Sequence, residues 1–241
     1  MGDALTTHRT PSGAGEGSGA GALLELRGVG KFYGEKPVLK KISLNVEAGR
    51  ALMIVGVNGA GKSTLLSLMS GLARPSFGEI RRRAEPGEIG YLGHKTFLYP
   101  RLTAMENLLF WARMSGTGLG EKACREALER VGLTRAAGER AGAFSRGMSQ
   151  RLNLARVFLQ SPKLLLLDEP GSGLDARSAA ALRQEIAEAG RRGAGVVFVS
   201  HDLRADLPLA DTVLYLDKAR ASYCGPAGAF DPSVLSGECA C

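Results

Sequence analysis

One glycine-rich segment constrains this chain more than any other. Gly56-Val57-Asn58-Gly59-Ala60-Gly61-Lys62-Ser63 matches the pattern G-x-x-x-x-G-K-[ST]; it follows the apolar run Ala51–Val55 and leads into Leu65, Leu66, Leu68 and Met69. A buried strand, a glycine loop and a helix in that order build a phosphate cradle. Gly56, Gly59 and Gly61 allow backbone with positive φ, which turns N–H groups toward phosphate oxygens. The new helix adds its positive end. Lys62 is positioned to reach the outer phosphates, and the Ser63 hydroxyl to ligate Mg²⁺. The pattern predicts binding of a nucleoside triphosphate.

The chain has 241 residues, 44% hydrophobic and 23% charged, enough apolar material for a substantial core. No apolar run approaches the roughly 18–20 residues that span a bilayer. Residues 1–10 lack an apolar leader core, so the expectation is a chain kept in the cytosol. The net charge of +7 raises the question of nucleic acid or an anionic membrane. The basic residues are dispersed, however, and the single run Arg81-Arg82-Arg83 reads as a solvated face, so no nucleic-acid partner is expected. Cys124, Cys224, Cys239 and Cys241 form no zinc pattern, and Cys124 falls on the apolar face of a helix.

Residues 1–21, with glycine at 13, 15, 17, 19 and 21, read as a flexible Gly/Ser-rich tail outside the fold. Short strands are expected within 23–47, including the alternation at Ile42, Leu44 and Val46, and again near 79–83 and 88–92. Between 103 and 160 the pattern turns helical. Thr103 and Glu106 fit a capping box, and helices are expected from there, over 121–131, and over 149–160. Strands over 163–167 and 196–199, a helix over 176–190, and two closing strands complete an α/β pattern, with residues 227–241 as a C-terminal tail.

Leu164-Leu165-Leu166-Leu167-Asp168-Glu169-Pro170 supplies the second part of the chemistry. Four leucines bury a strand, so Asp168 arrives at the carboxyl edge of the sheet, where open α/β sheets bind ligands and where it could hold Mg²⁺. Side chains alternate along a strand, so Asp168 and Glu169 share one site only if the strand ends between them; Pro170 is consistent with that ending. Glu169 is then placed to act as a general base toward water. His201 leaves the next strand, Gly195–Val199, at the same edge and is expected to contact the γ-phosphate. Phe144-Ser145-Arg146-Gly147-Met148 precedes the helix expected at 149, a second anion-binding helix end that points to a second molecule.

Together these residues resemble the nucleotide-binding subunit of ATP-binding cassette (ABC) transporters over about residues 22–226. The resemblance implies a P-loop ATPase core, an α/β fold with a small antiparallel β subdomain and an inserted helical lobe near 95–160. It implies a homodimer enclosing two ATP molecules and an integral membrane permease that the dimer drives from the cytoplasmic face of the membrane. In that frame Tyr33 stacks on adenine; Asn58, Ala60 and Thr64 join the phosphate site; and Ser145 and Gly147 touch the γ-phosphate on the partner. Asp175, in Gly171-Ser172-Gly173-Leu174-Asp175, lies in the loop that crosses the dimer interface. Two motifs depart from the family pattern: His94 stands where the family carries a metal-contacting Gln, and Arg146 and Met148 replace Gly and Gln of the signature. Tyr91-Leu92-Gly93-His94 with Leu98-Tyr99-Pro100-Arg101-Leu102-Thr103-Ala104-Met105-Glu106-Asn107-Leu108 resembles, more narrowly, the heme exporter ATP-binding subunit of cytochrome c maturation. The alternatives are a drug or polysaccharide exporter and a soluble ABC ATPase of iron–sulfur assembly.

Overall fold

Alternation of buried and exposed side chains builds the first layer. In this computed structural model, which describes residues 21–116 and 118–235, β1 (Ala22–Tyr33) pairs antiparallel with β2 (Lys36–Glu47) and with β4 (Phe77–Arg82). Leu24, Leu26 and Val29 of β1 and Leu39, Ile42, Leu44 and Val46 of β2 face inward. The small sheet has the order β2-β1-β4, so it recruits a strand from outside the expected 23–47 segment.

The second sheet is the frame for the site. Its order is β5 (Ile89–Leu92), β6 (Leu164–Asp168), β7 (Gly195–Val199), β3 (Ala51–Val55), β8 (Thr212–Asp217) and β9 (Arg220–Pro226). The first five are parallel and β9 is antiparallel to β8. β3, β6 and β7 are buried at every residue, because layers cover both faces of a parallel sheet. On one side, α1 (Lys62–Ser70) and the small sheet enclose a core that includes Leu65, Leu66, Leu68 and Met69. On the other, α5 (Ala176–Arg191) packs through Leu182, Ile186 and Ala189.

The helical lobe forms a third cluster from α2 (Ala104–Met114), α3 (Glu121–Arg130) and α4 (Arg146–Leu159), with Leu108, Ala112, Cys124, Leu128 and Leu152 inside. The Thr103–Glu106 capping box is present, with Thr103 N–H donating to Glu106 at 2.7 Å and Glu106 N–H to Thr103 at 3.1 Å. Between Val199 and β8, a single turn α6 (Leu203–Asp206) follows His201.

Three expectations require correction. α4 begins at Arg146 rather than 149, because the Ser145 hydroxyl accepts from Met148 N–H and caps the helix there. Arg82 is not part of a solvated face: its side chain turns inward and donates to the carbonyls of Met69 and Leu68, closing the C-terminus of α1. The packed fold also runs past residue 226, into the span read as a tail, since Ala227 and Phe230 lie in the core with Phe230 against Tyr215 and Tyr223. Residues 1–20, Cys239 and Cys241 lie outside the described residues. Phe230→Ala should therefore cost about 3 kcal/mol and lower Tm by about 6–12 °C in thermal unfolding; an unchanged Tm would put residues 227–235 outside the cooperative unit.

Candidate active site

The carboxyl ends of β3, β5, β6 and β7 lie side by side, and each delivers a polar group to the same place. From β3 the chain enters the glycine loop. Gly61 has φ of 100°, and a Cβ there would stand 2.8 Å from the Val38 carbonyl, so both backbone shape and space require glycine. Gly59, with φ of 82°, faces open space and is required by conformation alone. Lys62 is 6% exposed, and its Nζ donates to Gly56 O at 2.7 Å and Val57 O at 3.1 Å. Burial pulls its pKa below the ordinary lysine value, while Glu169 and Asp168 oppose that shift.

β6 ends as its sequence suggested. Asp168 is the last strand residue, and Glu169 takes φ of 49°, a left-handed conformation in a residue other than glycine. That reversal breaks the alternation of the strand and lets consecutive carboxylates serve one site. Glu169 Oε1 meets His201 Nε2 at 2.8 Å. Asp168 is 3% exposed, and neither of its carboxylate oxygens has a hydrogen-bond partner of good geometry among the described residues. Burial raises its pKa, against smaller downward pulls from Ser63, His94 and Lys62 and a small upward one from Glu169. His94, in the loop after β5, places Nε2 3.2 Å from Ser63 Oγ and 3.4 Å from Asp168 Oδ2. Ligand atoms of His94, Asp168 and Glu169 lie within 4.8 Å of one another. A buried carboxylate with unmet acceptors, beside a hydroxyl and an imidazole, is a donor set that fits a divalent cation.

Beside the loop, a cleft of about 550 Å³ is lined by Tyr33, Lys36, Lys40, Asn58, Gly59 and Lys218, with Ala60 also at its wall. Tyr33 is 56% exposed, with Lys31 Nζ 5.1 Å from the centre of its ring. Thr64 continues the first turn of α1, half-buried. A platform that exposed, next to a phosphate loop, suits a flat heterocycle. The three lysines of the cleft were not singled out from sequence, because they belong to separate segments (β2 and the β8–β9 turn) that meet only in the fold.

Ser145, Gly147 and Asp175 form a second group. Ser145 caps α4, and Asp175 caps α5 by accepting from Ser178 N–H at 2.7 Å, a bond that lowers its pKa. Arg146, whose direction sequence left open, folds back onto the 171–175 loop of its own chain: its guanidinium donates to Ser172 Oγ at 3.0 Å and lies over Gly173. Gln150, also unpredicted, donates to the Pro170 carbonyl at 2.9 Å. The loop after His94 is held by Asn107, which is fully buried and bonds Tyr99 N–H at 2.8 Å, Tyr99 O at 3.1 Å and Thr103 O at 2.9 Å. Trp111 Nε1 donates to Phe97 O at 2.8 Å, and the Arg156 guanidinium, brought down to about 10 by burial, lies 5.1 Å from the Trp111 ring centre.

A profile of the ABC transporter family matches residues 39–172. The chain is 35% identical over 207 residues to the linearmycin resistance ATP-binding protein of Bacillus subtilis, covering 81% of this chain and 67% of that one. It is 38% identical over 192 residues to the cytochrome c biogenesis ATP-binding export protein of Gluconobacter oxydans, covering 80% and 86%. Among solved structures it resembles a dimeric post-hydrolysis ATP-binding cassette bound to ADP and Pi, at 26% identity and a TM-score of 0.78, over 86% of this chain and all of that one.

The burial of Asp168 yields a sign that can be checked. Its folded pKa lies above the unfolded value, so its charged form is disfavoured by the fold; that cost is complete above the folded pKa and fades as pH falls. Asp168→Asn should raise Tm at neutral pH in chelator-containing buffer, with the gain shrinking on acidification toward pH 4; a lower Tm at neutral pH would contradict it.

Proposed function

The chain belongs to the ABC transporter family as an ATP-binding, ATP-hydrolysing subunit, and we propose that it powers heme export for cytochrome c biogenesis. In this reading it acts as a homodimer on the cytoplasmic face of the membrane, against an integral permease. The observation that carries the ATPase chemistry is the convergence of Lys62, Asp168, Glu169 and His201 on one sheet edge, with Glu169 and His201 in contact at 2.8 Å. Support for the heme branch is the likeness to the Gluconobacter protein over 86% of its length, together with the 91–108 segment. The linearmycin relative supports a second reading, a drug exporter with the same ATPase. Among the described residues no helix is long and apolar enough to cross a membrane, so a permease would come from another chain or segment.

The residues divide the work. The triphosphate lies along the 56–63 loop and the N-terminus of α1, with the Lys62 ammonium exchanging loop carbonyls for phosphate oxygens. Adenine stacks on Tyr33. Mg²⁺ held by Ser63, Asp168 and His94 would supply charge to the phosphate oxygens when bound. Glu169 accepts the proton of the attacking water as the water oxygen bonds the γ-phosphorus and the β–γ bridging bond breaks. His201 holds the Glu169 carboxylate in place and offers its ring to the γ-phosphate. Ser145 and Gly147 of one copy approach the γ-phosphate of the other, with Asp175 at the crossing. Closure and reopening of that dimer would reach the permease through the 94–100 loop, where Phe97 and Tyr99 remain 37% and 44% exposed.

Glu169→Gln should lower ATP turnover about 10²–10⁴-fold while nucleotide binding persists. In cells lacking the native chain, membranes should lose covalently bound heme in c-type cytochromes, and only the native chain, not Glu169→Gln, should restore it. Normal c-type cytochromes alongside lost resistance to a drug would replace heme with the second reading.

A further inference from the structure

His94 gives the cation site a nitrogen donor, and we propose that it makes the site selective for first-row transition ions such as Mn²⁺ or Co²⁺ over Mg²⁺, by binding the ion directly. The inference rests on the reading of Ser63 and Asp168 as the cation site. The geometry carries it. One atom, His94 Nε2, faces both Ser63 Oγ at 3.2 Å and Asp168 Oδ2 at 3.4 Å, so the imidazole joins the two oxygen donors in one cluster. Asp168 is 97% buried, and neither of its oxygens has a hydrogen-bond partner of good geometry among the described residues, which leaves acceptor capacity for a ligand. His94 Nε2 stands 3.2 Å from Ser63 Oγ and 3.4 Å from Asp168 Oδ2; adjacent donors on an octahedral ion with ~2.1 Å bonds stand ~3 Å apart. A contraction of well under an ångström therefore closes the set. The His94 side chain is 60% exposed and sits in a loop just past β5, so it has room for that movement.

Donor chemistry then decides between ions. Mg²⁺ prefers oxygen, demands near-ideal octahedral geometry and keeps its waters. Imidazole is a borderline donor whose affinity rises along the first-row series from Mn²⁺ toward Cu²⁺. A site with a hydroxyl, a buried carboxylate and an imidazole favours the transition ion at each exchange of water for nitrogen.

The experiment uses the full chain with ADP and Mn²⁺, all histidines labelled with ¹⁵N, read by pulsed electron paramagnetic resonance. The chain contains His8, His94 and His201, so variants assign the signal. The expected result is ³¹P coupling from ADP together with ¹⁵N coupling of a directly bound imidazole. His94→Gln should abolish the ¹⁵N coupling, keep the ³¹P coupling, and reduce the Mn²⁺-over-Mg²⁺ preference about tenfold in competition. His201→Gln should keep both couplings. A ³¹P coupling without ¹⁵N coupling in the native chain, or a ¹⁵N coupling that survives His94→Gln, overturns the role of His94 and leaves the nucleotide site standing. Absence of both couplings overturns the cation site itself, and the inference with it.

Discussion

The end of β6 is the constraint on which the remaining site depends. Four leucines commit the strand to the middle of the sheet, which forces Asp168 out of water. Burying a carboxylate without partners is costly, and nothing in the packing of the strand itself relieves it. The compensation lies at the sheet edge, where Ser63 and Lys62 from the start of α1 and His94 from the loop after β5 approach the same carboxylate. A helix N-terminus with its buried lysine and a loop thus meet at a position set by one strand's length. Had the strand run one residue further in extended form, Glu169 would project to the opposite face. Its left-handed backbone conformation is what keeps it beside His201.

The same turn connects the helical lobe to the sheet edge that carries Glu169. Gln150 donates to the carbonyl of Pro170, one residue after Glu169, and Arg146 reaches Ser172 two residues later. Gly147 lies so close to the Gly173 carbonyl that a Cβ would stand 3.2 Å from it. Both groups belong to the first turns of α4, the helix capped by Ser145. Movement of α4 therefore cannot be independent of the loop that follows Glu169. This is a physical link between the lobe and the sheet edge, and the direction of Arg146 toward its own chain makes it part of that link.

Much of the site was legible because its signals are local. The glycine loop, the leucine strand with its two acids and Pro170, and the Thr103–Glu106 box each lie within a few residues, and local pattern is what spacing can report. Long-range pairing was less legible. β4 joins the small sheet across some fifty residues from β1, and nothing in Phe77–Arg82 announces its partner. Arg82 looks like a surface charge in sequence, yet closes α1 because β4 passes its C-terminus. Phe230 follows a strand end and a glycine-rich turn, so a tail was the natural reading; its burial against Tyr215 and Tyr223 is decided by β8 and β9. Asn107 offered one missed cue: a polar residue on the helix stripe that also carries Ala104 and Leu108, where only a satisfied side chain is tolerated.

The departure at His94 follows the same logic from the opposite side. An edge built around an unpartnered buried carboxylate requires some donor or cation nearby, but it does not dictate which. Lys62 is tied to the loop carbonyls, and His201 is tied to Glu169, whereas His94 Nε2 meets both Ser63 and Asp168. The β5 loop reaches the same cluster, and the side chain it presents decides which donor atom joins the two oxygens. An oxygen donor at that position would leave the edge all oxygen; an imidazole makes it mixed. One residue in a loop therefore changes the donor set of an edge whose strands and helices are otherwise fixed by packing.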